Sequence, residues 1–342
     1  MNRPIYKLRD WIDPEKLDWC FTNDLKKSID FLRENPQYID WNTISENPHA
    51  IDIIENNLDK VNWNKLSNNK NAIHILEKNL DKIDWKALSR NKNAIHILEK
   101  NVDKIDWYIL SSNPNAISLL EKNQDKIDWN ILSFNPNAIE ILGKNIDKIN
   151  WIRLSLNPYA IKLLKENPNR IVWNSLSDNL NAIELLKENP EKIDWRILSS
   201  NKNAIDLLKD NQDKINWRNL SSNPNAIDLL KENPEKIDWF WLSINPNAID
   251  LIKDNLDKIS WYMLCTNPNA IDIIRQNIDK INDNQENYWS LSENENIFIL
   301  DYEKMKENME PLYHDIIKEV MKPERMKKNL ELYGYEIDDM FE

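Results

Sequence analysis

The chain has 342 residues and carries 45 Lys and Arg against 57 Asp and Glu, a net charge of −12. That acidic balance disfavours non-specific binding to DNA, RNA or anionic membranes, which needs a basic surface. Only two glycines are present, which argues against Gly-rich phosphate loops and Gly-dependent hairpins.

Residues 1–18 lack the apolar run of a signal peptide. They place Trp11, Ile12 and Leu17 on otherwise polar sequence and read as an N-terminal cap. From Trp19 a Trp recurs every 22 residues through Trp261, twelve in all, with no insertion or deletion. Such self-similarity marks a repeat array, so residues 19–282 read as twelve stacked copies of one unit.

With the Trp as position 1, the Trp107 to Asp128 unit is representative. The Asp or Asn that usually stands before the Trp, as at Asp106 and Asp128, predicts an N-cap for a first helix over positions 1–5. Val172 replaces it in one copy and should weaken that helix start. Asn at position 7, often followed by Pro as in Asn113-Pro114, predicts an N-cap and N1 for a second helix. Ala116, Ile117, Leu119 and Leu120 then form one apolar stripe. Asn at position 17, as in Asn123, predicts a left-handed helix stop, often with an apolar residue after it. Helices this short do not persist alone in water, so stacking must stabilise them. At about 8–10 Å between packed helices, twelve units predict a rod or superhelix of order 100 Å.

The period fails at Asp283 and resumes in worn form at Tyr288, with Leu291-Ser292, Asn294, Phe298 and Leu300 standing for unit positions. Residues 283–342 read as a degenerate repeat followed by a helical C-terminal module, either cap or effector. Helical stretches are expected around 312–321 and 323–333, with Gly334 as the stop. The fold class is therefore an all-α solenoid of two-short-helix repeats with a distinct C-terminal cap. Cys20 and Cys265 lie eleven repeats apart, too far for a disulfide across a linear stack. No apolar stretch approaches the ~20 residues of a membrane span, so a soluble, intracellular chain is expected.

The segments Asn113-Pro114-Asn115-Ala116-Ile117 and Asp106-Trp107-x-x-Leu110-Ser111 resemble the 22-residue repeat of a protein family of large DNA viruses infecting amoebae. The openings Lys7-Leu8-Arg9-Asp10-Trp11 and Lys16-Leu17-Asp18-Trp19 are similar to the start of those proteins. Asp301-Tyr302-Glu303, Pro323-x-Arg325 and Tyr333-Gly334-Tyr335 are similar to their end, although Lys322 replaces the family's usual His. The resemblance implies a viral origin, with the host cytoplasm as the expected location and the virion as the alternative. It supplies no mechanism.

No single copy stands apart as a nucleophile site, and no Cys/His cluster has metal-ligand spacing. His74 and His96 at position 12 read as a solvated helix face, and the recurring Asp-Lys at positions 19 and 20 as exposed loop pairs. A non-enzymatic chain without cofactor or metal is expected. In a solenoid the variable positions build the binding face. Here positions 2, 3 and 6 turn apolar in two clusters: Tyr108, Ile109, Ile131, Phe134, Ile152 and Leu156, then Phe240, Trp241, Ile244, Tyr262 and Met263. These are the candidate partner-binding residues, with Trp241 foremost. The expected function is a protein–protein interaction scaffold for a host or viral protein. The alternative is a structural virion component whose long rod is itself the function, with nucleic-acid binding third.

Overall fold

A computed structural model describes residues 4–282, 284–322, 324–326 and 332. It shows short helices in regular succession, and the Trp107 unit explains why. Asp106 accepts a hydrogen bond from the Ile109 amide and opens the first helix, Trp107–Leu110. Asn113 to Ala116 form a turn, and the second helix runs Ile117–Glu121. A 3₁₀ turn, Gln124–Lys126, leads through buried Ile127 to Asp128, the cap of the next unit. Val172 offers no side-chain cap, as its chemistry requires.

Two asparagines act differently from the sequence expectation. Asn113 does not cap the second helix, whose N-cap position is Ala116. Its Oδ1 accepts from the Asn115 amide within the turn, at 3.0 Å. Its Nδ2 donates backwards into the preceding unit, to the carbonyls of Ser89 at 3.1 Å and Asn91 at 3.2 Å. This rung repeats along the stack, for example at Asn91, Asn135, Asn201 and Asn267, always buried. The Asn at position 17 is not left-handed: Asn123 has φ −134° and ψ 50°. Its Nδ2 donates to the Leu119 carbonyl at 2.8 Å, while its own carbonyl accepts from the Lys126 amide at 3.0 Å. It joins helix to 3₁₀ turn by hydrogen bonds rather than by an unusual backbone.

Ser at position 5 is a second fastener. Ser111 Oγ donates to the Trp107 carbonyl at 2.8 Å and accepts from the Asp128 amide at 3.0 Å. Ala at position 10 is buried in every copy from Ala50 to Ala270.

In several successive units the first helices pack directly on one another, as Trp63–Asn68 does on Trp85–Arg90, while second helices are less closely apposed. The stack therefore curves with the first helices inside. It is not an open rod: the chain meets its own beginning. Strand β1 (Tyr6–Leu8) pairs antiparallel with β2 (Phe298–Leu300), Tyr6 opposite Leu300. The closure is built as a thirteenth unit split between the two ends. Helix Gln285–Leu291 and the Asn294 turn supply its first part. Asn294 makes the usual rung, to the carbonyls of Cys265 and Asn267, both at 2.9 Å. Pro14 to Asp18 supply its last part. The Asp18 amide donates to Ser292 Oγ at 2.8 Å, the bond that Asp128 makes to Ser111. Strands β1 and β2 stand where a second helix would be, so Phe298 and Leu300 lie in a strand rather than on a helical stripe.

The 1–18 segment is thus one half of a closure. At the other end, helix Tyr302–Val320 leaves this seam with most of its described side chains exposed, tied back by the Lys304–Glu34 ion pair. It covers the expected 312–321 stretch but does not cap the stack. Gly334, and most of the stretch expected at 323–333, lie outside the described residues.

The seam lacks the usual Asn rung. Position 7 of the Trp19 unit is Leu25, which has no amide to donate. In its place Thr22 Oγ1 donates to the Ser292 carbonyl at 3.4 Å, Lys27 Nζ donates to Asn296 Oδ1 at 2.7 Å, and the Tyr6 amide donates to Asp30 Oδ2 at 3.0 Å.

Asn113→Ala leaves two buried carbonyls without their donor and should cost about 2–4 kcal/mol, whereas exposed Asn115→Ala should cost under about 1 kcal/mol. Urea denaturation midpoints measure both, and equal losses would refute the rung. Cysteines replacing Tyr6 and Leu300 should bridge under mild oxidation, since a non-hydrogen-bonded antiparallel pair has Cα atoms about 4.5 Å apart. Non-reducing electrophoresis and mass spectrometry would show the internal link, which an open rod could not form.

Candidate interaction surface

The capped first helices hold positions 2, 3 and 6 along the inner, concave side of the ring. Position 6 side chains of neighbouring units touch: Asn68 Nδ2 donates to Glu46 Oε1 at 2.5 Å. Lys65, at position 3, also binds Glu46, at 3.1 Å. Burial acts to raise the Glu46 carboxyl, but hydrogen bonds from Asn68 and Lys65 and the charges of Lys65 and Arg90 outweigh it and hold it below its usual range.

The first apolar cluster divides by position. Phe134 at position 6 is 50% exposed, and Tyr108 and Ile152 at position 2 are likewise open. Ile131 and Leu156 are half-buried. Ile109 is only 8% exposed, so it belongs to the wall and not to the contact face. Position 3 sits at the boundary of the core: Ile109 falls on its buried side and Ile131 just outside it. In the second cluster Phe240 and Tyr262 are exposed, while Trp241, Ile244 and Met263 are half-buried. Trp241 is held between neighbours: Phe240 meets it edge-on at 5.4 Å and the Arg218 guanidinium lies 5.5 Å from its ring centroid.

Ring closure adds members that linear spacing had hidden. The split unit follows the Trp261 unit, so its Trp289, 49% exposed, continues the second cluster. Phe21 of the Trp19 unit, 48% exposed, comes next. An apolar arc therefore runs from Phe240 across the seam to Phe21. The missed signal lay in Pro14-Glu15-Lys16-Leu17-Asp18, which matches Pro190-Glu191-Lys192-Ile193-Asp194 at the end of an ordinary unit.

A groove of about 650 Å³ opens at the seam, lined by Phe21 and Leu25 with Asp24, Glu46, Lys65 and Glu293 among its polar walls. A second, of about 540 Å³, runs past Asn68, Lys70, Arg90 and Asn93.

The Trp row is structural, and its partner is the Lys at position 20. In nine units that Lys ammonium lies 4.5–5.3 Å from the centroid of its own unit's Trp. The Asp-Lys pairs of the sequence are thus cation–π lids, each contributing about 0.5–1 kcal/mol at such exposed sites. Lys16 covers Tyr288 in the same way at 5.4 Å, which fits its place in the split unit. In the first unit Tyr38 occupies position 20 and stacks on Trp19 at 4.6 Å.

His74 and His96 each face a Glu of the preceding unit, Glu55 at 2.6 Å and Glu77 at 2.8 Å, on the exposed helix face. Among the described residues no group of three or more His, Cys, Asp or Glu is placed to hold a metal, and no helix is long and apolar enough to cross a membrane. Compared with known proteins, the chain matches no family model, no curated protein and no solved structure.

The two thiols differ sharply. Burial pushes Cys265 up to about 12. Cys20 is exposed, yet partial desolvation and the nearby Asp40 and Asp18 carboxylates raise it too. Because the thiolate is the reactive form, a disulfide reagent at pH 7.5 should titrate one thiol of the native chain, more slowly than free cysteine. The second should appear only on denaturation. Two fast equivalents would contradict this placement.

Proposed function

We propose that the ring is a non-enzymatic protein–protein interaction scaffold that holds a partner on its concave face. The observation that carries this reading is the exposure of Phe134, Tyr108 and Ile152 at positions that are polar in most sister units. Apolar groups placed where the fold does not need them are the usual mark of an interface. Repetition also spreads like residues along a face instead of converging unlike ones in a pocket, which disfavours catalysis.

The C-terminal helix adds support. Tyr302, Met309, Tyr313, Ile316, Ile317 and Val320 are all exposed along it. A projecting amphipathic helix suits an adaptor with a second contact better than it suits a closing cap. The reading of a long rod as a virion component loses its physical basis, because the ends of the stack are joined. The resemblance of the repeat to that of amoeba-infecting viruses extends the proposal: the partner would be a host or viral protein.

Phe134→Ser with Leu156→Ser tests the reading. Both side chains stand outside the fully buried core, so thermal stability should change by under about 1 kcal/mol. Affinity purification of wild type and variant, in parallel, should show loss of a specific partner from the variant. If the double change instead unfolds the ring, or retains every partner, the face is structural and the proposal fails.

A further inference from the structure

Resting on the scaffold reading, the geometry points to the arc across the seam as a docking groove for an extended, basic and apolar segment of a partner protein. We infer this from two observations that meet only because the ring closes.

The first is an apolar floor assembled from both ends of the chain. Phe21 and half-buried Leu25 line the seam groove, and exposed Trp289 and Tyr262 continue it along the preceding units. Aromatic rings at this exposure provide contact area with little entropy to lose.

The second is the charge of its rim. Glu293, Asp24 and Glu46 occupy position 6 of three consecutive units, one carboxylate per unit. Glu46 is already satisfied by Lys65 and Asn68. Asp24 and Glu293 are exposed, and among the described residues neither side chain forms an ion pair or hydrogen bond. Among the described residues Lys65 is the one cation lining the groove, and it is engaged. Lys and Arg fit both features at once, because their stems lie along apolar surface while the charged head reaches a carboxylate. An acidic segment would meet repulsion along the whole rim.

Fluorescence anisotropy of the full-length chain tests this with a labelled 12-residue peptide alternating Lys or Arg with Leu or Phe. A second peptide carries Glu in place of every cation. The basic peptide should bind, and the acidic one should bind at least about tenfold more weakly. Raising salt from 50 to 300 mM should weaken the basic peptide by about threefold or more. Asp24→Asn with Glu293→Gln should weaken it at least about fivefold, and Phe21→Ser should do so at any salt. His74→Ala with His96→Ala, on the exposed helix face, should leave it unchanged.

Equal binding of both peptides, no binding of either, or indifference to the Asp24 and Glu293 changes would overturn the inference. If the peptides fail while the Phe134 and Leu156 changes still release a partner, the seam assignment falls and the scaffold stands. If both fail, the scaffold reading falls with it.

Discussion

The buried asparagine at position 7 is the interaction on which the rest depends. Its amide nitrogen reaches two carbonyls of the unit before, and its oxygen holds its own turn. Helices of four to six residues cannot survive alone, and hydrophobic contact alone is non-directional. The Asn rung supplies direction. It fixes how each unit sits on its neighbour, and hence how far the stack turns per copy. An unmade hydrogen bond in so buried a place is costly, so register between units is enforced at every step.

Closure follows from that constant turn, and it reorganises the surface. Residues near the two ends of the chain become neighbours across the seam, and one unit is completed by both. Phe21 and Trp289 then extend a cluster that would otherwise end at Met263. The concave face becomes a continuous track around the ring, with apolar stretches separated by polar ones. Its outer counterpart carries exposed charge pairs such as Lys187–Glu184, which contribute little to stability.

Much of the unit was legible because local chemistry decides it. Asp before Trp caps a helix wherever it stands, and Val172 loses the cap as expected. What sequence could not give was the partner of each polar side chain. Asn at position 7 reads equally as a helix cap or as a bridge to another unit, and only the packing decides. The same holds for the position 20 lysines, whose lid over Trp is invisible in a loop of exposed residues. Of the candidate face, spacing found the variable positions but not their depth: Ile109 and Phe134 look alike in sequence and differ fully in burial. The seam stayed hidden because half a unit at each end resembles a worn terminus, the ordinary fate of terminal repeats.

The closed path also limits how this chain can change in length. An open array gains or loses whole copies at its ends with little penalty, and near-identical repeats invite such events through unequal recombination. Here thirteen units divide one full turn, roughly 28° each. Removing one copy would require every remaining joint to rotate further, or would leave the two half-units unable to meet. The geometry therefore acts as a counter, and a miscounted copy would betray itself by an unclosed gap and two bare apolar ends.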